Sequence, residues 1–171
     1  EENNLKSLLF LPNTDSNNDL NINKIKSRIG IEKDAIYANQ DFNFINYIEE
    51  SNLKDSHCIL IDEAQFLKDY QVNQLSIIAD QYDIPIMCYG LRTDFTGNLF
   101  EGSEYLLAWA DNLKEIKTVC HCGRKATMVV RQSNDGKVVK DGAQIEIGGN
   151  DKYISLCRRH WSEAMDNKGT Q

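Results

Sequence analysis

Apolar runs, each ended by polar residues or proline, alternate with amphipathic segments over the first two thirds of the chain. Short continuous apolar runs predict strands in a parallel sheet, and apolar positions spaced by three and four predict helices. A strand, a helix and a strand in this order form a βαβ unit with parallel strands. The predicted strands are residues 7–12, 35–38, 58–61 and 84–90, the predicted helices are 42–50 (capped by Asp41), 69–82 and 101–110, and residues 13–26 predict a surface loop.

One apolar run ends abruptly in charge, in the sequence Cys58-Ile59-Leu60-Ile61-Asp62-Glu63-Ala64-Gln65-Phe66. The run predicts a strand buried on both faces, and open α/β sheets bind ligands at the carboxyl ends of such strands. An Asp in this place commonly holds the magnesium of a nucleotide, and a Glu beside it can act as a base. The alternative is a solvated strand end with two incidental acids.

The character of the sequence changes at Cys120. The motif Cys120-His121-Cys122-Gly123 is followed by Cys157-Arg158-Arg159-His160, which together offer a tetrahedral set of ligands for a structural zinc. Cys120, Cys122, Cys157 and His160 are therefore the candidate ligands. His121 is a competing ligand, although a strand-like backbone would direct it away from the cysteines. The alternative is free thiols in an extended hairpin.

The residues around these cysteines predict extended structure. Residues 113–119 alternate apolar and polar positions, as a half-exposed strand does. Residues 125–131 and 144–147 predict strands joined through Asn134-Asp135-Gly136, a hairpin signal. Gly148-Gly149 supplies a flexible backbone that can close over a ligand.

Composition narrows the class of protein. The chain has 171 residues, of which 41% are hydrophobic, enough for a packed core. A net charge of −7 argues against a general nucleic-acid or anionic-membrane binder, and no apolar run approaches the roughly 20 residues of a membrane helix. Five cysteines without a secretory segment favour a reducing compartment, so we expect a cytoplasmic protein in which Cys58 and Cys88 are core residues.

Several motifs together resemble one family. Asp62-Glu63-Ala64-Gln65-Phe66 resembles the Asp-Glu-x-Gln-Phe signature of the type II thymidine kinases, a zinc-bearing family of the P-loop type. Gly90-Leu91-Arg92-Thr93-Asp94-Phe95, the two cysteine motifs and Ile147-Gly148-Gly149-Asn150-Asp151-Lys152-Tyr153 also match. The form found in enteric bacteria is the most similar. The resemblance covers almost the whole chain and implies transfer of the γ-phosphate of ATP to the 5′-hydroxyl of thymidine.

The resemblance also implies a role for individual residues. Glu63 is expected to be the general base, and Asp62 is expected to hold Mg²⁺ beside ATP, with Ala64 and Gln65 in the same nucleotide-binding segment. Zinc is expected to fix both ends of a lasso over the base, so its removal would weaken thymidine binding first. The implied thymidine contacts are an apolar pocket of Phe66, Leu91, Phe95 and Phe100, the lasso residues Gln144, Ile145, Glu146, Ile147 and Gly148, and Tyr153.

Two features depart from the family pattern. No G-x-x-x-x-G-K-[ST] phosphate-binding loop occurs in the 171 residues, so we expect residues 1–171 to be an incomplete chain that does not bind ATP productively. Asp15 matches a family Asp, but Asn17 stands where an Arg is expected, which leaves the role of Asp15 open. Arg28 is equally open between a phosphate contact and a solvated ion pair.

The expected architecture is an α/β domain at residues 1–118, P-loop-kinase-like but without its first strand and P-loop, and a zinc-ribbon and lasso domain at 119–171. Two other functions compete with the kinase: a catalytically dead nucleoside-binding protein, and a zinc-ribbon domain that uses Arg158 and Arg159 against nucleic acid. The net acidity counts against the second. From the resemblance alone we expect a homotetramer that dTTP inhibits by feedback.

Overall fold

The computed structural model of the protein describes residues 6–12, 23–26, 32–142, 144 and 152–166, with only the backbone of residues 23–26 and 32. The chain forms two compact units. The first unit contains Glu1–Arg92 and Phe100–Asp111, and the second contains Thr93–Leu99 and Asn112–Gln171. The boundary predicted between residues 118 and 119 stays a prediction. No helix among the described residues is long and apolar enough to cross a membrane.

The first unit is built on a five-stranded sheet. Its elements are β1 (Ser7–Pro12), β2 (Asn23–Lys26), β3 (Glu32–Ala38), α1 (Phe44–Glu50), β4 (Cys58–Ile61), α2 (Asp69–Tyr82), β5 (Ile86–Cys88) and α3 (Glu101–Trp109). The strand order is β2-β3-β1-β4-β5, with β2 antiparallel to β3 and the other four strands parallel. The predicted βαβ unit is confirmed, because β4, α2 and β5 follow one another and the two strands pair in parallel.

The core of this unit explains why β4 is fixed in place. Ile59 and Ile61 are fully buried in one cluster with residues of β1, α1 and α2. Phe10, Phe42 and Phe44 meet edge to face in this cluster, with ring centroids 5.0 to 5.8 Å apart. Cys58 and Leu60 are half-buried, since successive side chains of a strand point to opposite faces. The prediction that β4 is buried on both faces is therefore wrong for one face, which is only partly buried.

The second unit consists of short strands and one helix. They are β6 (Thr118–Val119), β7 (Lys125–Ala126), β8 (Met128–Gln132), β9 (Val138–Val139), β10 (Lys152–Leu156) and α4 (Arg158–Asp166). One sheet has the antiparallel order β10-β8-β9, and β6 pairs with β7. A small buried cluster of Cys120, Val130, Leu156 and Cys157 lies at its centre, with Trp161 packed against it.

Two local predictions in the first unit are wrong. Helix α1 begins at Phe44 instead of residue 42, because Asn43 is the cap and its Oδ1 accepts the Asn46 N–H at 2.9 Å. The predicted loop 13–26 contains β2, which is held by pairing with β3.

Two further predictions in the second unit are wrong. Only Thr118–Val119 of the predicted strand 113–119 is paired. The hairpin turn at Asn134–Gly136 joins β8 to β9, not to residues 144–147, because the chain turns back at once: the Ser133 N–H donates to the Lys137 carbonyl at 2.9 Å.

Candidate active site and candidate metal centre

Asp62 and Glu63 lie at the carboxyl end of β4, as the sequence predicts. The Asp62 N–H donates to the carbonyl of Phe10 on β1 at 3.1 Å, which extends the sheet up to the first acid. The Asp62 Oδ1 accepts the Glu63 N–H at 3.0 Å. Glu63 is exposed and has a left-handed backbone, with φ 53° and ψ 37°, where it enters a short 3-10 turn at Ala64–Phe66.

Gln65 is a buried polar residue behind the two acids, with 2% of its surface exposed. Its Nε2 donates to Glu63 Oε2 at 2.6 Å, and its Oε1 accepts the Leu91 N–H at 3.1 Å. Gly90 makes room for this amide, because a Cβ there would lie 2.6 Å from Gln65 Oε1. The structure therefore connects the turn after β4 to the segment after β5.

The aromatic residues of the first unit flank the same turn. Phe66 and Phe100 meet edge to face at 5.7 Å, and Leu91 is exposed, with its carbonyl accepting the Ser103 hydroxyl at 2.6 Å. Helix α3 approaches the turn through Gly102, where a Cβ would lie 2.6 Å from the Ala64 carbonyl oxygen. Phe66, Leu91 and Phe100 are thus brought together beside Glu63 by short loops and one close helix contact.

The second unit contains the other predicted substrate residues. Phe95 is 1% exposed, and the guanidinium of the buried Arg131 lies 5.5 Å from its ring centroid. Gln144 Nε2 donates to Asp94 Oδ2 at 2.8 Å, which ties the first predicted lasso residue to the Phe95 loop. Tyr153 is exposed on β10. The predicted lasso residues Ile145 to Gly148 lie outside the described residues.

The four predicted metal ligands converge. One ligand atom from each of Cys120, Cys122, Cys157 and His160 lies within 4.8 Å of the others. The Cys122 and Cys157 sulfurs are 3.9 Å apart, and His160 Nδ1 lies 3.3 Å from Cys120 Sγ and 3.6 Å from Cys157 Sγ. Tetrahedral zinc bonds of about 2.3 Å to sulfur and 2.0 Å to nitrogen place neighbouring ligands roughly 3.5 to 3.8 Å apart. The donor set and its spacing fit a metal such as zinc.

The electrostatics of this cluster favour metal binding. Burial opposes ionisation of Cys120 most strongly, but hydrogen bonds from the backbone of Cys122 and Cys157 and from the His160 side chain outweigh it and lower the pKa of Cys120 to about 5. A thiolate at neutral pH is the form that binds metal. The pKa of Arg159 is raised, first by its hydrogen bond to Glu163 and further by the charge of that carboxylate.

His121 lies beside the cluster, contrary to the prediction that it points away. Residues 121 and 122 form a turn, not a strand. The turn stacks the His121 ring on His160 with centroids 4.2 Å apart and brings its Nδ1 to 3.6 Å from Cys120 Sγ. It is not one of the four convergent ligands, so the structure assigns it a packing contact with one of them.

The contacts that hold these sites together could not be predicted from the sequence pattern. Asp94, Arg131 and Trp161 contact residues that are far from them along the chain. Gly102 matters because the backbone of another segment lies close to it. Gly90 and Asp94 do fall within a motif that matches the family, which was the one available indication. Long-range side-chain contacts of this kind appear only once the fold is known.

The geometry defines an α/β protein with paired acids at the carboxyl edge of parallel strands and a Cys3His cluster that can hold a metal. Comparison with known proteins gives the family. The thymidine kinase family model matches residues 1–161. A thymidine kinase of Rhodopirellula baltica is 52% identical over 165 residues, covering 96% of this chain and 77% of that protein.

Two further relatives agree. A thymidine kinase of Haemophilus influenzae is 55% identical over 83% of this chain and 74% of its own length. One of Vibrio cholerae is 48% identical over 96% of this chain and 85% of its own length. The chain belongs to the thymidine kinase family, in its bacterial type II form.

Proposed function

We propose that the protein transfers the γ-phosphate of ATP to the 5′-hydroxyl of thymidine, giving dTMP for DNA precursor synthesis. The observation that carries this proposal is the placement of Asp62 and Glu63 at the carboxyl end of β4, with Gln65 bonded to Glu63, in a chain of the thymidine kinase family. Relatives about 50% identical over most of the chain are named thymidine kinases, which supports the same substrate class.

We assign the chemistry to the two acids. Glu63 is exposed and takes the proton of the 5′-hydroxyl, while Asp62 helps to hold the Mg²⁺ that accompanies ATP. Phosphoryl transfer needs little covalent help from protein, so positioning of the hydroxyl and neutralisation of charge contribute most of the rate. Ala64 and Gln65 complete the nucleotide-binding segment. The backbone of Ala64 is fixed by its N–H, which donates to the Tyr89 carbonyl at 2.8 Å.

We propose that the thymidine contacts are apolar around the base and polar at its edge. A flat pyrimidine suits aromatic and aliphatic walls, with a few main-chain groups for its polar atoms. The proposed contacts are Phe66, Leu91, Phe95, Phe100, Tyr153 and the segment from Gln144 through Ile145, Glu146 and Ile147 to Gly148.

The metal that we propose for Cys120, Cys122, Cys157 and His160 is a structural zinc. All four positions are taken by protein ligands, which is typical of structural and not of catalytic zinc sites. Cytoplasmic location, a homotetramer and feedback inhibition by dTTP are proposed from the family resemblance alone.

The decisive experiment is steady-state kinetics on the natural full-length protein and its Glu63→Gln variant. Loss of the base should lower kcat by roughly 10²-fold or more, with thymidine affinity near normal. Glu104→Gln, which changes an exposed Glu of α3, is the matched control and should leave kcat unchanged. Thymidine binding without any phosphoryl transfer by the unsubstituted protein would instead support the nucleoside-binding alternative.

A further inference from the structure

Trp161 joins the metal cluster to the loop that carries Phe95. It directly follows the ligand His160 in α4, and its backbone N–H donates to the carbonyl of the ligand Cys157 at 2.9 Å. Its indole Nε1–H is shared between two carbonyl oxygens, that of Phe95 at 3.0 Å and that of Val129 at 3.1 Å. One side chain therefore contacts the central strand β8 and the loop at residues 93–99.

The 93–99 loop is shaped to receive this indole. Gly97 has φ +90°, and a Cβ there would lie 3.2 Å from Cη2 of the Trp161 ring. A larger residue would be strained by its backbone and would press on the ring. The loop is stiff, because Asp94 Oδ1 accepts the N–H groups of Thr96 at 2.9 Å and Asn98 at 3.0 Å. The indole bond to Phe95 falls within the span that these bonds close, so loss of the indole donor should loosen them.

The metal cluster lies at the start of the helix that carries this anchor, Trp161. Cys157 and His160 stand at the start of α4, whereas Cys120 and Cys122 belong to a separate turn. An ion bound by all four ligands ties the first turn of α4 to that turn more strongly than the thiol, imidazole and single backbone contacts that join the ligands otherwise. Trp161 directly follows His160 in this first turn, so the donor to the Phe95 carbonyl is carried by the same turn as two of the ligands.

We propose that Trp161 is a positioning residue through which occupancy of the metal cluster sets the place of the Phe95 loop and hence the affinity for the nucleoside. The last step rests on the proposed function, in which Phe95 contacts the base. The first step does not, and it is tested separately. Gln144 extends the same path, since its amide is bonded to Asp94.

The first arm of the test measures the loop directly. Hydrogen exchange of the Thr96 and Asn98 amides is followed in the natural full-length protein, with zinc and after chelation. We expect these amides to exchange faster after chelation, and equally fast in Trp161→Phe that retains zinc, because phenylalanine fills the space but has no N–H. Trp109→Phe, which changes an exposed tryptophan of α3, is the matched control and should exchange as the unsubstituted protein does. Unchanged exchange in zinc-loaded Trp161→Phe would overturn the proposal.

The second arm measures thymidine. Zinc-loaded Trp161→Phe should have a thymidine KM raised roughly 10-fold and a kcat within about 3-fold of normal, since a positioning contact acts mainly on binding. Chelation should raise the thymidine KM of Trp161→Phe only slightly further, because chelation and the substitution disrupt the same contact and their effects are not additive. Effects of chelation and substitution that multiply would overturn the proposal. Faster amide exchange, without thymidine kinase activity in the unsubstituted protein or its variants, would count against the proposed function. It would not count against the coupling of the metal cluster to the Phe95 loop through Trp161.

A second variant keeps the test decisive if Trp161→Phe fails to retain zinc. Gly97→Ala changes the loop side of the same contact and leaves α4 intact. It should keep one zinc per chain, speed exchange at Thr96 and Asn98, and raise the thymidine KM. A normal KM together with faster exchange would overturn the claim that the loop sets affinity.

Discussion

The side-chain amide of Gln65 donates to the carboxylate of Glu63 across 2.6 Å. The orientation of the amide is fixed from its other side, because the Leu91 N–H is a donor and must face the Gln65 oxygen. The NH₂ group therefore faces Glu63, which accepts as a carboxylate. The proposed base is thus held by a buried residue whose own position depends on the segment after β5.

Substitution of Gln65 should disturb Glu63 without removing it. In Gln65→Met both hydrogen bonds are lost, and we expect kcat to fall about 10-fold, with the unpaired Leu91 N–H costing about 1–3 kcal/mol of stability. Gln65→Glu keeps the acceptor for Leu91 but places a second carboxylate beside Glu63, so kcat should fall while stability changes less. Kinetics and urea unfolding measure the two effects. Gln81→Met on the exposed side of α2 is the control, and a normal kcat in both Gln65 variants would contradict the assignment.

Gly102 should be intolerant of a single methyl group. A Cβ at this position would lie 2.6 Å from the Ala64 carbonyl oxygen and 2.8 Å from that of Leu67. Backbone atoms cannot rotate away as a side chain can, so Gly102→Ala should lower the free energy of unfolding by about 1–3 kcal/mol. Because the displaced turn carries Gln65, kcat should also fall. Chemical denaturation and kinetics test this, with Ala108→Gly at an exposed position of α3 as the control.

Metal removal should change the reactivity of selected thiols. Cys120 is buried in the closed cluster, and after chelation it should be alkylated at neutral pH as its turn opens, because its pKa is lowered to about 5 and the thiolate is the reactive form. Cys88 should stay unmodified with or without metal, since burial raises its pKa to about 12. Mass spectrometry of iodoacetamide-treated protein distinguishes the two. Equal labelling of Cys120 before and after chelation would mean that no metal protects it.

Asp135 provides a pH-dependent contribution to the β8–β9 hairpin. Hydrogen bonds from Ser133 and Lys137 lower its pKa to about 2. A depressed folded pKa means that the ionised group adds stability above its unfolded pKa of about 4 and that this is lost as pH falls through about 2. A carboxyl ¹³C titration should give a midpoint near 2. A midpoint near 4 would show that the turn contacts do not persist in solution.

Elements with a clear apolar period were predictable from the sequence. Helix α2 has the predicted bounds, since its buried positions recur every three or four residues. Strand β2 was missed because Asn and Lys dominate it and only pairing with β3 holds it extended. The four metal ligands were predictable because residue type and spacing carry their chemistry. The Trp161 contact was not, since it joins residues 66 positions apart.

The left-handed backbone of Glu63 has a consequence for how this position can evolve. Glycine adopts φ near +53° without steric cost, whereas a glutamate pays for it in conformational strain of about 1 kcal/mol. Glu63→Gly should therefore relieve strain in the turn while abolishing the proposed base. A screen for thermal stability alone should therefore favour glycine over glutamate at position 63, whereas selection for turnover should retain the glutamate.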